Sequence, residues 1–313
     1  MSVKEKIARD LSIRSGEVER LIARAPHSYK TYRIAKKSGG YRTISQPARE
    51  TKFVQYWLIE NVLRGLNVHS AATAYAPGSS VRKNAEVHRL SKYLVKLDFR
   101  NFFTSIKRDD VLRLLHERYS NELTVEDLRD ISRLVCVKYK HASVMRLSIL
   151  APSSPLISNA MLYKFDSELS EWSAACDVRY TRYADDLAFS TLDIDASRQV
   201  EPKVRKVLGA MEFPKLRLNT KKTLRLSKAN SRRVTGIVIT NDSKLSIGRA
   251  KKREIKSLVF RYSQGALDPD GVTRLQGLLG FALDVERSFV ARLRGRYGGT
   301  VIDQIFQHRK NSE

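Results

Sequence analysis

Cysteine is nearly absent: only Cys136 and Cys176 occur in 313 residues, and neither belongs to a set of cysteines and histidines at metal-ligand spacing. A disulfide scaffold and a structural zinc site are therefore not expected, and a reducing cytoplasm is the expected compartment. Long apolar runs are missing too. None approaches the roughly 20 residues that span a bilayer, so no membrane partner is expected. The opening MSVKEKIARDLSIRSGEVERL is charged throughout and has no apolar signal-peptide core. Internal repeats and low-complexity linkers are absent as well, which argues for one continuous globular body. Negative charge is the remaining scarcity: 33 Asp plus Glu stand against 58 Lys plus Arg, a formal net charge of +25.

What is present is a real core. Hydrophobic residues make up 42% of the chain and aromatics 8%, which excludes wholesale disorder. The length suits one large domain or two to three packed subdomains. Cations run from Lys4 to Lys310 and form no separate tail. A protein this positive is expected to meet a polyanion, with nucleic acid the default.

Residues 3–25 read as one helix with Ile7, Leu11, Val18, Leu21 and Ile22 as its apolar positions. Tyr29–Ile34 and Tyr41–Ile44 alternate like strands around Lys36-Lys37-Ser38-Gly39-Gly40, predicting a basic hairpin. After Pro47 a helix is predicted to carry Phe53, Val54, Trp57, Leu58 and Val62. A short helix over 81–89 leads into the strand Tyr93–Asp98. Segments 107–118 and 124–136 read as helices, and Pro152 and Pro155 precede another through Leu169. Two β-prone runs, Val178–Tyr183 and Leu187–Thr191, flank Ala184-Asp185-Asp186. A helix near 196–211 and short strands near 223–227, 233–239 and 244–247 follow. From Arg249 onward the pattern is helical, so the order reads as α+β with a C-terminal helical appendage.

Two acidic places resist a reading as solvated surface. Asp98 closes the apolar run Tyr93-Leu94-Val95-Lys96-Leu97, and Asp185-Asp186 sits at a tight turn between two apolar strands. Adjacent carboxylates repel, and a divalent cation removes the repulsion while keeping sites for substrate phosphates. If the strand ending at Asp98 lies beside the 185–186 hairpin, three carboxylates converge on one sheet edge. Such a cluster can hold two metals roughly 3.5–4 Å apart, one activating a hydroxyl and the other steadying a leaving pyrophosphate.

These residues resemble the reverse transcriptases, and within them the bacterial retron type. Tyr183-Ala184-Asp185-Asp186 is similar to the polymerase YxDD box, and Asp98-Phe99 to the first catalytic-aspartate motif. Asn84-Ala85-Glu86-Val87-His88 resembles the retron NAxxH element and Val234-Thr235-Gly236 the VTG element. The resemblance covers nearly the whole chain in motif order. It implies a right-hand polymerase fold of fingers, palm with antiparallel sheet, and helical thumb. Along the chain these would be an N-terminal helical extension over 1–28, fingers over 29–92, palm over 93–247 with an insert around 107–150, and thumb over 248–313.

Residue by residue, the resemblance implies Asp98, Asp185 and Asp186 as catalytic metal ligands, joined by the Phe99 carbonyl, for two Mg²⁺ ions or Mn²⁺. Phe103 matches the steric gate that selects dNTPs over rNTPs. Ala151 lies in Ala151-Pro152-Ser153-Ser154-Pro155, similar to a motif packed on the incoming nucleotide. Where the family commonly has Gln-Gly just before Ala-Pro, this chain departs with Ile149-Leu150. Arg42 in Tyr41-Arg42-Thr43-Ile44 matches a fingers residue that grips triphosphate, where a guanidinium suits phosphate oxygens. Lys36 and Lys37 are candidate helpers, and Lys222 matches a palm lysine facing the leaving pyrophosphate.

Asn84, His88 and Thr235 are candidate RNA contacts, although packing explains a lone histidine on a helix face equally well. Arg249, Lys251, Lys252 and Arg253 open a helix with Ile255, Leu258, Val259 and Tyr262 as its apolar positions. It suits a thumb helix laid along a nucleic-acid backbone. A retron enzyme implies a cognate structured noncoding RNA, dNTPs, a single-stranded DNA product (msDNA) primed from an RNA 2′-OH, and an effector protein in antiviral defence. The alternatives are a group II intron or diversity-generating reverse transcriptase, and an RNA-binding scaffold that has lost catalysis.

Overall fold

The computed structural model describes residues 1–35, 39–76 and 78–308. Two helices open it, α1 (Val3–Asp10) and α2 (Ser15–Arg24). The single helix predicted over 3–25 is broken at Ser12, whose φ of 53° is left-handed. Glu17 closes the start of α2, its carboxylate accepting from the Arg14 N–H. The break lets Val3 and Ile7 of one helix and Val18, Leu21 and Ile22 of the other enter the same core.

The predicted hairpin follows as β1 (Tyr29–Ala35) and β2 (Tyr41–Pro47), paired antiparallel from Tyr29↔Pro47 to Ala35↔Tyr41. Lys36 and Lys37 lie outside the described residues. Helix α3 (Arg49–Asn61) buries Thr51, Val54, Gln55, Trp57 and Leu58. Phe53, predicted on its apolar face, is instead 60% exposed. The inner stripe is centred on Val54 and Leu58, and Gln55 takes an inner place by donating to the Leu134 carbonyl at 2.7 Å and the Tyr29 hydroxyl at 3.0 Å.

Next come α4 (Val81–His88), β3 (Tyr93–Asp98), α5 (Phe102–Ser105), α6 (Arg108–Tyr119) and α7 (Val125–Val135). The helix predicted through Leu169 is two, α8 (Ser154–Met161) and α9 (Tyr163–Ala175), meeting at Leu162. A hairpin of β4 (Arg179–Tyr183) and β5 (Asp186–Thr191) precedes α10 (Ile194–Ala210) and β6 (Leu224–Leu226). The run predicted over 233–239 is a tight hairpin of β7 (Arg232–Val234) and β8 (Ile237–Ile239), followed by β9 (Leu245–Ser246). Both connecting residues are left-handed, Thr235 at φ 47° and Gly236 at φ 84°, as a two-residue hairpin turn of this hand requires. Helices α11 (Arg249–Ser263), α12 (Pro269–Val285), α13 (Arg287–Tyr297) and α14 (Gly299–Gln307) end the described chain.

The sheets are the β1-β2 pair, a four-stranded sheet in the order β4-β5-β3-β6, and a β7-β8-β9 sheet. Two compact units are interleaved along the chain. One comprises Met1–Pro77, Val95–Phe189 and Asp195–Leu224, and the other Gly78–Leu94, Ser190–Ile194 and Arg225–Glu313. Leu58, Leu97, Phe99, Ile157, Phe165, Leu187 and Val204 belong to the core of the first. The second buries Ile255, Val259, Leu275, Leu279, Phe289 and Ile302. No helix among the described residues is long and apolar enough to cross a membrane.

Candidate active site

Strand order builds the site. β3 lies between β5 and β6, and its apolar residues Leu94, Val95 and Leu97 are buried. Just past its end the Phe99 N–H donates to the Asp185 carbonyl at 3.0 Å. That bond ties the end of the first acidic strand to the β4–β5 turn, the juxtaposition on which the expected acidic cluster was conditional. The turn itself depends on Ala184, left-handed at φ 56°.

Asp98 is 7% exposed. Its Oδ2 accepts from Lys222 Nζ at 2.8 Å and its Oδ1 from Asn219 Nδ2 at 3.3 Å. The Asn219 N–H also donates to the Asp98 carbonyl at 2.7 Å, fixing the loop that carries Lys222. Asp186 Oδ2 pairs with Lys96 Nζ at 3.0 Å. Burial, and next the charge of Asp98, push the Asp185 carboxyl above its ordinary value; Asp186 adds to this and Lys222 opposes it.

Beside them an aromatic wall forms. Phe99 stacks on Phe102 with ring centroids 5.6 Å apart, and Phe102 meets Phe103 at 5.1 Å. Phe103 keeps 9% of its surface exposed and Ala151 2%, whereas Leu150, which stands where the family commonly has glycine, is 44% exposed. Arg42 is exposed on β2, across from Ile34. A concavity of about 530 Å³ lined in part by Leu114, Met161, Phe165, Val207, Met211 and Phe213 includes none of the three aspartates.

The remaining sequence-predicted residues lie in the second unit. Asn84 and His88 are each 1% exposed, and His88 Nδ1 lies 2.8 Å from Ser190 Oγ. The Thr235 hydroxyl donates to the carbonyl of Val81, the first residue of α4, at 3.0 Å, and α4, which carries Asn84 and His88, packs against β7 and β8. Arg249 and Arg253 are exposed. Lys251 lies over the Phe281 ring, 4.1 Å from its centroid. Lys252 is engaged by Glu286 at 2.6 Å.

Sequence reasoning missed Lys96, Asn219, Arg182 and Asp166. Lys96 alternates inward beside Asp98 and could have been found from strand periodicity. Arg182, the residue before the Tyr-Ala-Asp-Asp box, is fully buried, a placement no local pattern announces.

The donor set suits a divalent cation. Three carboxylates face two ammonium groups, so one negative charge is left over, and all candidate ligands are hard oxygens. Among the described residues no three His, Cys, Asp or Glu side chains form a ready-made metal cage, and Lys222 and Lys96 pair with two of the carboxylates. Mg²⁺ does not need such a cage, because it commonly binds one or two carboxylates together with substrate phosphates.

A model of the family described as reverse transcriptase (RNA-dependent DNA polymerase) matches residues 34–239. The chain belongs to the reverse transcriptases. The enzyme is 38% identical over 290 residues to the retron Ec83 reverse transcriptase of Escherichia coli, covering 91% of this chain and 92% of that one. To the retron Ec73 reverse transcriptase of Escherichia coli it is 33% identical over 287 residues, covering 88% and 89%. It is therefore a bacterial retron-type reverse transcriptase, an RNA-directed DNA polymerase whose partners include nucleic acid and whose family depends on divalent metal. Its fold is similar to that of telomerase from Candida albicans, solved in complex with a fragment of telomeric RNA. The TM-score is 0.51 at 12% identity, covering 93% of this chain and 59% of that one. That likeness speaks for the right-hand polymerase fold alone.

Proposed function

We propose that this enzyme copies part of a cognate structured noncoding RNA into single-stranded DNA, starting from a 2′-hydroxyl of that RNA, as the cytoplasmic polymerase of an antiviral system with an effector protein. The observation that carries the catalytic part is the Phe99–Asp185 main-chain bond of 3.0 Å, which brings the end of β3 to the acidic turn. The retron part rests on similarity to two retron enzymes over about nine-tenths of each chain and on the hydrogen bond from Thr235 to Val81, the first residue of the helix that carries Asn84 and His88.

In this reading Asp98, Asp185 and Asp186, with the Phe99 carbonyl, hold two Mg²⁺ ions. When bound, these supply a lowered pKa at the attacking hydroxyl and charge neutralisation at the leaving pyrophosphate. The chain does the rest by positioning. Lys222, whose side chain is 56% exposed, exchanges Asp98 for the leaving phosphates. Phe103 closes the space a ribose 2′-OH would need. Ala151 packs on the nucleotide, and Arg42 grips its triphosphate. Arg249 and Arg253 lie along the nucleic-acid backbone with Lys251, whereas Lys252 is held by Glu286, and buried Asn84 and His88 shape the surface around Thr235 that meets RNA.

Nucleic acid copurifying with the wild-type protein and with Asp185→Asn/Asp186→Asn tests the proposal. RNA joined covalently to DNA is expected from the first and RNA alone from the second. DNA with no covalent RNA attachment would overturn the priming and favour a group II intron or diversity-generating type. DNA from the double variant would overturn the aspartate assignment.

A further inference from the structure

We propose that Arg182, gripped by Asp166 and Asn159, is a positioning residue that locks the acidic turn and so aims the Asp185 carboxylate. The inference rests on the reading of Asp185 as a metal ligand, and its test separates the two.

Arg182 and Asp166 have no exposed side-chain surface. Arg182 Nε donates to Asp166 Oδ1 at 2.9 Å, and one terminal nitrogen donates to Oδ2 at 2.5 Å. The Tyr180 hydroxyl donates to the same Oδ1 at 2.7 Å, so both carboxylate oxygens are engaged from β4. An ordinary buried ion pair would end there. The other terminal nitrogen, however, donates to Asn159 Oδ1 at 2.9 Å and to the Ala184 carbonyl at 3.1 Å. The guanidinium thus reaches back to the carbonyl of the peptide that leads into Asp185.

That carbonyl needs holding. Ala184 sits at φ 56°, where an L-residue other than glycine, asparagine or aspartate is disfavoured and nothing in an alanine side chain compensates. The network also reaches a second strained residue. Asn159 Nδ2 donates to the Ala74 carbonyl at 2.9 Å, and the following Tyr75 is left-handed at φ 63° and 61% exposed. The main chain of Arg182 is held by the same segment, its N–H donating to the Ala71 carbonyl at 2.7 Å and its carbonyl accepting from the Thr73 N–H at 2.8 Å. Two left-handed residues therefore depend on one buried cation. A lysine at 182 can pair with Asp166. Its single ammonium cannot reproduce the planar fork that serves a carboxylate, an amide oxygen and a main-chain carbonyl together.

The test compares full-length wild type with Arg182→Lys and Asn159→Ala, and with Asp185→Asn as the reference for the site itself. Arg182→Lys is expected to bind an RNA template–primer duplex with unchanged Kd. Its kcat per binding-competent molecule should fall about 100-fold with little change in KM for dNTP, as small misplacements of a reacting group do. Without metal or substrate, hydrogen exchange at the amides of 184–186 should accelerate while α8 and α9 keep wild-type protection. Asn159→Ala should reproduce both effects, with a loss of roughly tenfold in kcat.

Wild-type kcat and wild-type exchange at 184–186 in Arg182→Lys would overturn the proposal. So would exchange that rises equally across α8, α9 and β4, since that is a general stabilising role. Activity retained by Asp185→Asn would instead sink the metal-ligand reading. An inactive Asp185→Asn beside a wild-type Arg182→Lys would sink this inference alone.

Discussion

Asp185 is a residue whose usefulness and whose effect on folding oppose each other. Burial and the Asp98 charge raise its carboxyl pKa above the ordinary value. A carboxyl raised in the folded state contributes stability while it is protonated, below its unfolded pKa. That contribution is lost as pH rises through the folded value. At neutral pH the ionised Asp185 therefore weakens the metal-free protein. Asp185→Asn should raise the metal-free melting temperature at pH 7, by a shift on the order of 1–3 °C in a chain longer than 250 residues. The gain should vanish at pH values where wild-type Asp185 is protonated. Mg²⁺ should raise the melting temperature of wild type and not of the variant, as differential scanning calorimetry at two pH values would reveal. An Asn variant no more stable than wild type would mean that Lys222 already neutralises the carboxylate. At this scale the approach of the Asp98 strand end to the 185–186 turn was legible because its signal is local: each aspartate sits at a break in an apolar run. Asn219 and Arg182 were not, because each owes its role to a partner 121 or 16 residues away.

Elements were legible where one period ran uninterrupted. β3 came out with its predicted ends because apolar residues, a short length and a terminal aspartate agree. Two readings failed where a left-handed residue interrupts a run that otherwise looks continuous, as Ser12 does within 3–25 and Thr235-Gly236 within 233–239, and a third at Leu162, which has a negative φ. Helix α11 shows what charge counting alone misses. Its first turns carry Arg249, Lys251, Lys252, Arg253 and Lys256, and in sequence these cations look equivalent. In the fold Lys252 binds Glu286, a residue that also accepts from the Ser246 hydroxyl at 2.7 Å and the Ile247 N–H at 3.3 Å. Arg249, Arg253 and Lys256 are exposed. Neutralising those three together should lower the slope of log K against log salt for duplex binding by about 2–3, close to one for each phosphate that is no longer neutralised. Lys252→Ala should leave the slope alone and cost about 1–2 kcal/mol of stability, because Glu286 keeps its burial and loses a charged partner. Binding titrations over a range of salt, alongside denaturant melts, separate the two groups. A slope that responds to Lys252 as strongly as to the exposed three would place the nucleic acid on another face of the helix.

For the whole molecule the net charge of +25 is the property that sequence alone fixes most firmly. It has a consequence for stability as well as for binding. Like charges spread over a folded surface repel, which favours expansion of the free protein. Many of the ion pairs that could offset this are exposed, among them Arg14–Glu17 and Arg198–Asp195, and such pairs contribute about 0–1 kcal/mol each. Salt screens both effects over roughly 8–10 Å, but the repulsion is summed over many more pairs of charges than the attraction. The melting temperature of the free enzyme should therefore rise between about 50 and 300 mM salt, where the Debye length shortens most usefully. With RNA bound the sign should reverse. The ligand neutralises the repulsion itself and stabilises by mass action, and salt weakens its affinity steeply. Thermal melts across a salt series, with and without a structured RNA, should give two curves that converge from opposite directions. A free enzyme that melts lower as salt is added would mean that its local ion pairs outweigh its net charge. The cationic surface would then be part of what holds the fold together, and its interaction with nucleic acid would carry no cost in stability to be relieved.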